Sequence, residues 1–349
     1  MLAHESLRDI HELTLAEVEQ AVIGAGERGF RARQVLGWLW KRGAESFDTM
    51  HEVPAALRAF LKENFRLDPA PSARVLRSAD NTRKLLLRLS DSEQVESVII
   101  PTEGRTTLCI SSQAGCAMAC AFCATARMGL HRNLAPAEIL AQILAARGEL
   151  DSGEALTNYV FMGMGEPLAN YARLSRALTI MTSEWGMGIS PRRITVSTVG
   201  LVPMMGRLLE DFQVNLAVSL HATTDELRDR LAPINRRYPL AVLIDACRNL
   251  PLQRRRRLTF EYVMLGGVND SAEDAQRLAR MLGSMRAKVN LIFFNPFPDT
   301  PFVPSPRARV EGFRAILHRG NLTATIRESR GTDIAAACGQ LYAERHLNQ

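Results

Sequence analysis

Three cysteines fall within eight residues, Cys116, Cys120 and Cys123, in the spacing C-x3-C-x2-C. Three thiolates so close in sequence suit a [4Fe–4S] cluster in which protein sulfur holds three irons and the fourth is left open. A structural zinc ion is the competing reading. It asks for a fourth Cys or His nearby, and His131, the nearest candidate, lies outside the usual close spacing. The other cysteines, Cys109, Cys247 and Cys338, are scattered. Residues 1–13 mix His, Glu, Arg and Asp and do not read as a secretory signal. In a chain of 349 residues without one, six cysteines do not read as a disulfide framework.

The open iron of such a cluster can chelate the amino and carboxylate groups of S-adenosyl-L-methionine (SAM). One electron then splits the sulfur–carbon bond and releases a 5′-deoxyadenosyl radical. A SAM site needs close backbone approach at the amino-acid end and polar partners around it. Residues 161–166, Phe-Met-Gly-Met-Gly-Glu, offer both: Gly163 and Gly165 permit the approach, and Glu166 can pair with the amino group. Ser197 ends one predicted strand, His221 follows a second, and Asn295 follows a third. Taken singly, a Ser, His or Asn at such a place is as readily a hydrogen-bonding partner within the fold.

The elements that must position these residues follow from periodicity. From residue 106 onward strands and helices alternate, with strands predicted at 107–111, 159–162, 194–197, 216–220, 259–264, 289–294 and 323–326. The clearest helix, 136–147, carries Ile139, Leu140, Ile143 and Leu144 on one face and Pro136 in its first turn. This rhythm implies an α/β fold of parallel strands and crossover helices. A full or partial β/α barrel fits, with its chemistry at the C-terminal strand ends; a doubly wound open sheet is the alternative. Residues 1–70 read as a small N-terminal helical domain, with capping-box spacing at Thr14 and Glu17 and an apolar stripe at Val35, Leu36, Leu39 and Trp40. Residues 71–105 read as a linker and β-hairpin extension with strands at 83–89 and 95–100, 106–329 as the barrel, and 330–349 as a C-terminal segment.

The residues flanking the cysteines narrow the reading. Ser111-Ser112-Gln113-Ala114-Gly115-Cys116 and Phe122-Cys123-Ala124-Thr125 resemble the RlmN and Cfr group of radical SAM RNA methyltransferases. Four further segments are similar to that group's motifs, in order: 161–170, Ser219-Leu220-His221, Asn295-Pro296-Phe297-Pro298, and Arg330-Gly331-Thr332-Asp333-Ile334 with the Ala-Ala-Ala-Cys-Gly-Gln that follows. The resemblance implies a partial (β/α)6-type radical SAM barrel, one [4Fe–4S] cluster per chain on Cys116, Cys120 and Cys123, and two SAM consumed per turnover. It implies methylation of adenine C2 in 23S rRNA, and in tRNA beside the anticodon, with a flavodoxin-like electron donor. A Cfr-like C8 methyltransferase is the nearest alternative, and an RNA-binding homologue without methylation is another. In the implied mechanism Cys338 carries the methyl group, Cys109 forms a transient disulfide with it to free the product, and Glu96 is the proton acceptor. Gly165, Glu166, Ser197, Ser219, Leu220, His221 and Asn295 fall at the SAM-binding positions. From the residues alone, Cys338 reads equally as a buried free thiol, and a core thiol is the lesser alternative for Cys109. Glu96, close to Val95 and Val98, is either a partly desolvated base with a raised pKa or a solvent-facing strand residue. Cys247 reads as core. One departure is visible: Asp299-Thr300-Pro301 stands where the group often has Gly after the second Pro, which points to an altered loop near the substrate.

A net charge of +6 favours a polyanionic partner. Arg28, Arg31, Arg33, Lys41 and Arg42 cluster near the N-terminus, and Arg254 to Arg257 form a run that is either an RNA contact or a solvated loop. The adenine is expected flipped out or unpaired. A chain 46% hydrophobic and 23% charged is not disordered, and no apolar run approaches bilayer length. The expectation is a cytoplasmic monomer with no membrane partner.

Overall fold

The computed structural model describes residues 7–71, 73–253 and 255–342. Ten strands form one sheet: β1 (Ala73–Arg77), β2 (Arg83–Arg88), β3 (Gln94–Thr102), β4 (Arg105–Cys109), β5 (Leu156–Phe161), β6 (Ile194–Thr198), β7 (Asn215–Ser219), β8 (Leu258–Met264), β9 (Ala287–Phe293) and β10 (Thr323–Arg327). They lie side by side in chain order. β1 to β4 are an antiparallel meander. β4 to β10 are parallel, so seven parallel strands stand where seven were predicted. The sheet is open, with β1 and β10 as its edges. It also curls, because Ile100 and Thr102 of β3 line the same lumen as Thr325 and Arg327 of β10. An open, curled sheet is a partial barrel, and its mouth lies at the C-terminal ends of the parallel strands.

The crossovers are helical. After β4 come a one-turn α4 (Ala124–Arg127) and α5 (Pro136–Gly148); α6 (Tyr171–Thr182), α7 (Val202–Asp211), α8 (Asp225–Leu231), α9 (Leu240–Arg248), α10 (Ala272–Leu282) and α11 (Arg307–Arg319) follow the later strands. Helices cover the outer face of the sheet and the curl shelters the inner one, so β8 is buried at every residue. β1 occupies part of the segment read as linker. Its arginines, Arg74 and Arg77, are exposed and its other residues only half-buried, as suits the charged edge of a sheet.

Upstream lie α1 (Leu15–Gly24), α2 (Arg31–Trp40) and α3 (Ala55–Asn64). The capping box at α1 is formed: Thr14 N–H donates to Glu17 Oε2 at 2.7 Å, and Glu17 N–H donates to Thr14 Oγ1 at 3.4 Å. Val18, Val22, Val35, Leu36, Leu39 and Trp40 are buried in one core with Ile139 and Ile143 of α5 and Leu174 of α6. Arg176 of α6 donates to Glu17 and to the Glu12 carbonyl, both at 2.6 Å, and Arg147 of α5 donates to the Trp40 carbonyl at 3.0 Å.

Arg228 of α8 ties the barrel mouth together. Its side chain is fully buried and donates to the carbonyls of Val199 (2.7 Å), Leu220 (3.2 Å) and Ser219 (3.3 Å) and to Asn235 Oδ1 (3.0 Å). These carbonyls follow or end β6 and β7, so one guanidinium sets the spacing of two adjacent strand ends. An Arg228→Met variant leaves the Val199 carbonyl without this donor and takes a bond from those of Ser219 and Leu220, the last of which keeps the Ala222 N–H, at a cost of about 3 kcal/mol. The urea midpoint of the purified protein is expected to fall accordingly; an unchanged midpoint contradicts this role.

Candidate active site

The chain leaves β4 at Cys109, runs through residues 110–115 and enters the cysteine loop. Backbone bonds fix that loop from three sides: Cys116 N–H donates to the Gly129 carbonyl (2.7 Å), Ala121 N–H to that of Leu231 (3.0 Å) and Ala124 N–H to that of Gly339 (2.7 Å). Cys116, Cys120 and Cys123 line one cavity at the barrel mouth with Gly165, Glu166, Ser197, Ser219, His221 and Cys338. Burial raises the pKa of all three thiols, that of Cys116 to about 12, so they stay protonated until a cation compensates the charge. Among the described residues no three His, Cys, Asp or Glu side chains are gathered tightly enough for a single metal ion. Thiols spread around a shared cavity fit a cluster, which distributes its protein ligands over separate irons, better than a tetrahedral zinc site.

The glycine turn after β5 is built against the segment entering the cysteine loop. A Cβ on Gly163 would stand 2.8 Å from the Ile110 carbonyl oxygen, and one on Gly165, whose φ is +96°, would stand 2.5 Å from Gln113 Cβ. The sequence reading assigned the close approach at these glycines to the ligand; the structure shows chain against chain. Ser111 Oγ accepts from Met164 N–H (2.8 Å) and Gln113 Oε1 from Glu166 N–H (2.7 Å), which turns the Glu166 side chain onto the cavity wall. There its carboxylate accepts from Leu168 N–H (3.1 Å) and Val199 N–H (2.8 Å). Burial outweighs these bonds and pushes its pKa from 4.5 up to about 7.

His221 is buried, with φ at 60°. Val263 N–H donates to its Nδ1 at 3.0 Å, which assigns the ring proton to Nε2. Burial and the nearby Arg228 depress its pKa to about 3, so the ring is neutral. It packs edge-on against Phe122 of the cysteine loop, ring centroids 4.3 Å apart. Leu220 does not reach the cavity: its side chain is in the core, and its backbone is held by Arg228 and Glu261. Asn295 lines the barrel lumen and donates from Nδ2 to the Cys338 carbonyl at 3.1 Å.

Cys338 lies on a strap, residues 331–342, laid across the barrel mouth. Besides Asn295, Thr125 Oγ1 holds it at the Leu341 carbonyl (2.6 Å), and Gln340 Nε2 reaches the Pro296 carbonyl (2.8 Å). Cys338 lines both the three-thiol cavity and the lumen below, where Cys109 is found. Burial pushes the pKa of Cys109 up to about 12, and Cys338 is close enough to add to the rise. Cys109, Cys338 and the other four cysteines are all free, so the expected Cys109–Cys338 disulfide is not formed in this state. Cys247 is buried in α9, as expected.

Glu96, on β3, opens onto neither of these cavities but onto a groove on the other side of the strap. It is buried, bonded to Lys84 Nζ at 2.9 Å, and accepts Tyr342 N–H at 2.9 Å. Its apolar neighbours are not its whole environment: Lys84, across the β2–β3 register, supplies a counter-charge. Two more charged residues escaped it. Glu261 and Arg327 line both the cavity and the lumen, and Glu261 keeps a buried oxygen, Oε2, without a hydrogen-bond partner. The signal was a Glu inside an otherwise buried strand, a costly placement unless used. The arginine run is elsewhere: Arg254 lies outside the described residues, while Arg256 and Arg257 bond Asn215 and Thr323, the first residues of β7 and β10, at the end of the barrel opposite the mouth. Near the N-terminus Arg42 pairs with Glu52, and Arg28, Arg33 and Lys41 are exposed.

Fold and cavity together define a radical SAM protein. Residues 110–280 match the Radical SAM superfamily, and a radical SAM methyltransferase from Sphaerobacter thermophilus superposes with a TM-score of 0.91 at 46% identity, covering 97% of this chain and 100% of that one. Residues 8–67 match the ribosomal RNA large subunit methyltransferase N-terminal domain. The dual-specificity RNA methyltransferase RlmN of Anaeromyxobacter dehalogenans is 54% identical over 98% of this chain and 93% of its own length. That of Geobacter sulfurreducens is 51% identical over 97% and 92%. The chain belongs to the RlmN family.

The pKa of Glu166 makes a stability prediction. The unfolded carboxyl ionises near 4.5 and the folded one near 7, so the folded state holds the extra proton in between and stability falls as pH rises through that window. Glu166→Gln removes the dependence. In the cluster-free protein its urea midpoint is expected to gain on the wild type from pH 5 to pH 8, by up to about 3 kcal/mol; parallel pH profiles contradict the assignment.

Proposed function

We propose that this protein transfers a methyl group from SAM to C2 of an adenine in 23S rRNA and in tRNA, with Cys338 as the methyl carrier. The observation that carries the reading is Cys338 itself, a thiol on the shared wall of the three-thiol cavity and the lumen that holds a second thiol, Cys109. Adenine C2 is electron-poor and a weak nucleophile, so direct polar transfer from a sulfonium fails there. A carrier thiol that can be methylated by displacement and then activated answers that difficulty. Cys116, Cys120 and Cys123 would hold a [4Fe–4S] cluster, which when bound supplies the electron and the open iron for radical generation from SAM.

The remaining roles fall to this chain's own groups. Glu166, its carboxylate aimed into the cavity and destabilised by burial, gains most from a cation such as the SAM ammonium. Ser197, Ser219 and the Nε2–H of His221 supply polar contacts for the rest of SAM, and Gly165 lets the turn that carries Glu166 close. Asn295 sets the position of Cys338 through its carbonyl. Glu96 accepts the proton lost from the ring. Cys109, as its thiolate, then attacks the Cys338 sulfur: the S–S bond forms, the bond from sulfur to the methylene carbon breaks, and its electron pair leaves with that carbon, which takes a proton to become the methyl group. A flavodoxin-like protein is the proposed electron donor and a cytoplasmic monomer the proposed setting; no helix among the described residues is long and apolar enough to cross a membrane.

Anaerobically reconstituted protein, given SAM, a reductant and unmodified rRNA or tRNA, is expected to yield 2-methyladenosine on digestion and mass spectrometry. 8-Methyladenosine would instead assign the Cfr-like reaction. Cys338→Ala is expected to keep the brown chromophore and lose methylation by more than ~100-fold. Methylation that persists in that variant removes the carrier from the mechanism.

A further inference from the structure

The groove onto which Glu96 opens is larger than a proton acceptor needs. Its walls are Arg74 and Lys84 from β1 and β2, Arg127 at the end of α4, Phe297 and Asp299 from the loop after β9, and Tyr342 at the end of the strap. We propose that this groove is an RNA subsite, taking single-stranded nucleotides that flank the reacting base; this rests on the RNA methyltransferase reading and extends it.

Charge is the first reason. Glu96 is neutralised by Lys84; Arg127 gives its two terminal nitrogens to the Pro298 and Asp299 carbonyls, both at 2.6 Å, and Asp299, which also lines the groove, offsets one further positive charge. Arg74 remains exposed, with no hydrogen bond or ion pair to any described residue, so the groove carries one uncompensated cation, enough for one phosphate. Stacking is the second. Phe297 is half-buried and held in place by the Arg127 guanidinium, 4.7 Å from its ring centroid, and by Phe294 at 6.0 Å. Tyr342 is 44% exposed. A fixed aromatic face, an exposed tyrosine and a free arginine in one cleft are the elements of single-strand recognition, in which bases stack and the backbone is held by charge.

Connectivity is the third reason. A base served by both Glu96 and Cys338 must sit at the seam of the strap, because the carboxylate opens on one side of it and the thiol on the other. The nucleotides on either side of that base need a path along the protein, and the groove, which meets the strap on the Glu96 side, offers one. The loop that forms the groove wall is the one where this chain departs from its group's usual Gly. Asp299 takes φ +58° there, with Arg127 bonded to its carbonyl.

The test is fluorescence anisotropy of a labelled, adenine-centred single-stranded RNA oligonucleotide with the full-length protein across a KCl series. Arg74→Ala, a surface change, is expected to weaken binding several-fold and to reduce the log–log salt slope by about 0.7, the value for one phosphate on a single strand. Phe297→Leu is expected to weaken binding about 5- to 150-fold with the slope unchanged, its fold checked by thermal melting. Wild-type affinity and slope in both variants overturn the proposal, as does displacement of the RNA by polyglutamate at equal charge concentration. If the variants lose RNA binding but the wild type forms no methyladenosine, the groove stands and the methyltransferase reading falls. If RNA is methylated with an unchanged KM in both variants, the groove alone falls.

Discussion

The site depends on one stitched segment, the strap of residues 331–342. Its carbonyls are taken by the cysteine-loop helix, at Ala124 to Gly339 and Thr125 to Leu341, and by the β9 loop, at Asn295 to Cys338. At its other side Tyr342 N–H is bonded to Glu96. Backbone groups that would otherwise be buried without partners thus hold a segment that has no strand or long helix of its own. Loss of any of these bonds moves the thiol relative to the cavity, and thiol placement decides what chemistry the barrel mouth can support.

Around that segment the electrostatics are those of a cavity prepared for positive charge. Glu166 and Cys116 are buried and Cys120 and Cys123 half-buried, and desolvation disfavours the ionised form of all four. Iron and a sulfonium amino acid are the kinds of cation that relieve such a set. His221 is the complement, kept neutral and tautomerically fixed by the Val263 amide, so it adds a donor without adding charge. A carboxylate raised by burial and a histidine lowered by it, in one cavity, is the pattern expected where binding rather than folding sets the preferred ionisation.

Much of this was legible in the sequence because it is local. The alternation of apolar runs gave seven parallel strands, and the cysteine spacing with its flanking residues gave the cavity and the family. Capping at Thr14 and Glu17 was readable for the same reason. What could not be read is long-range pairing. Lys84 meets Glu96 only through strand register, and Arg228 reaches three carbonyls from a helix that looks merely charged. The glycines at 163 and 165 illustrate a different limit: their need for close approach was evident, but whether the neighbour is ligand or chain is decided by the fold. The Arg254 to Arg257 run was ambiguous because a linear charge cluster does not say which end of the barrel it decorates.

The central claim is that Cys338 accepts a methyl group at a site organised by the three loop cysteines. Peptide mass spectrometry of the protein purified anaerobically after expression with iron and sulfide tests it most directly. The account predicts S-methylcysteine at Cys338, and its disappearance in a Cys116→Ala protein that lacks the cluster. An unmodified Cys338 in cluster-loaded, SAM-treated protein, or a methyl group found instead on Cys109 or Cys247, would contradict it.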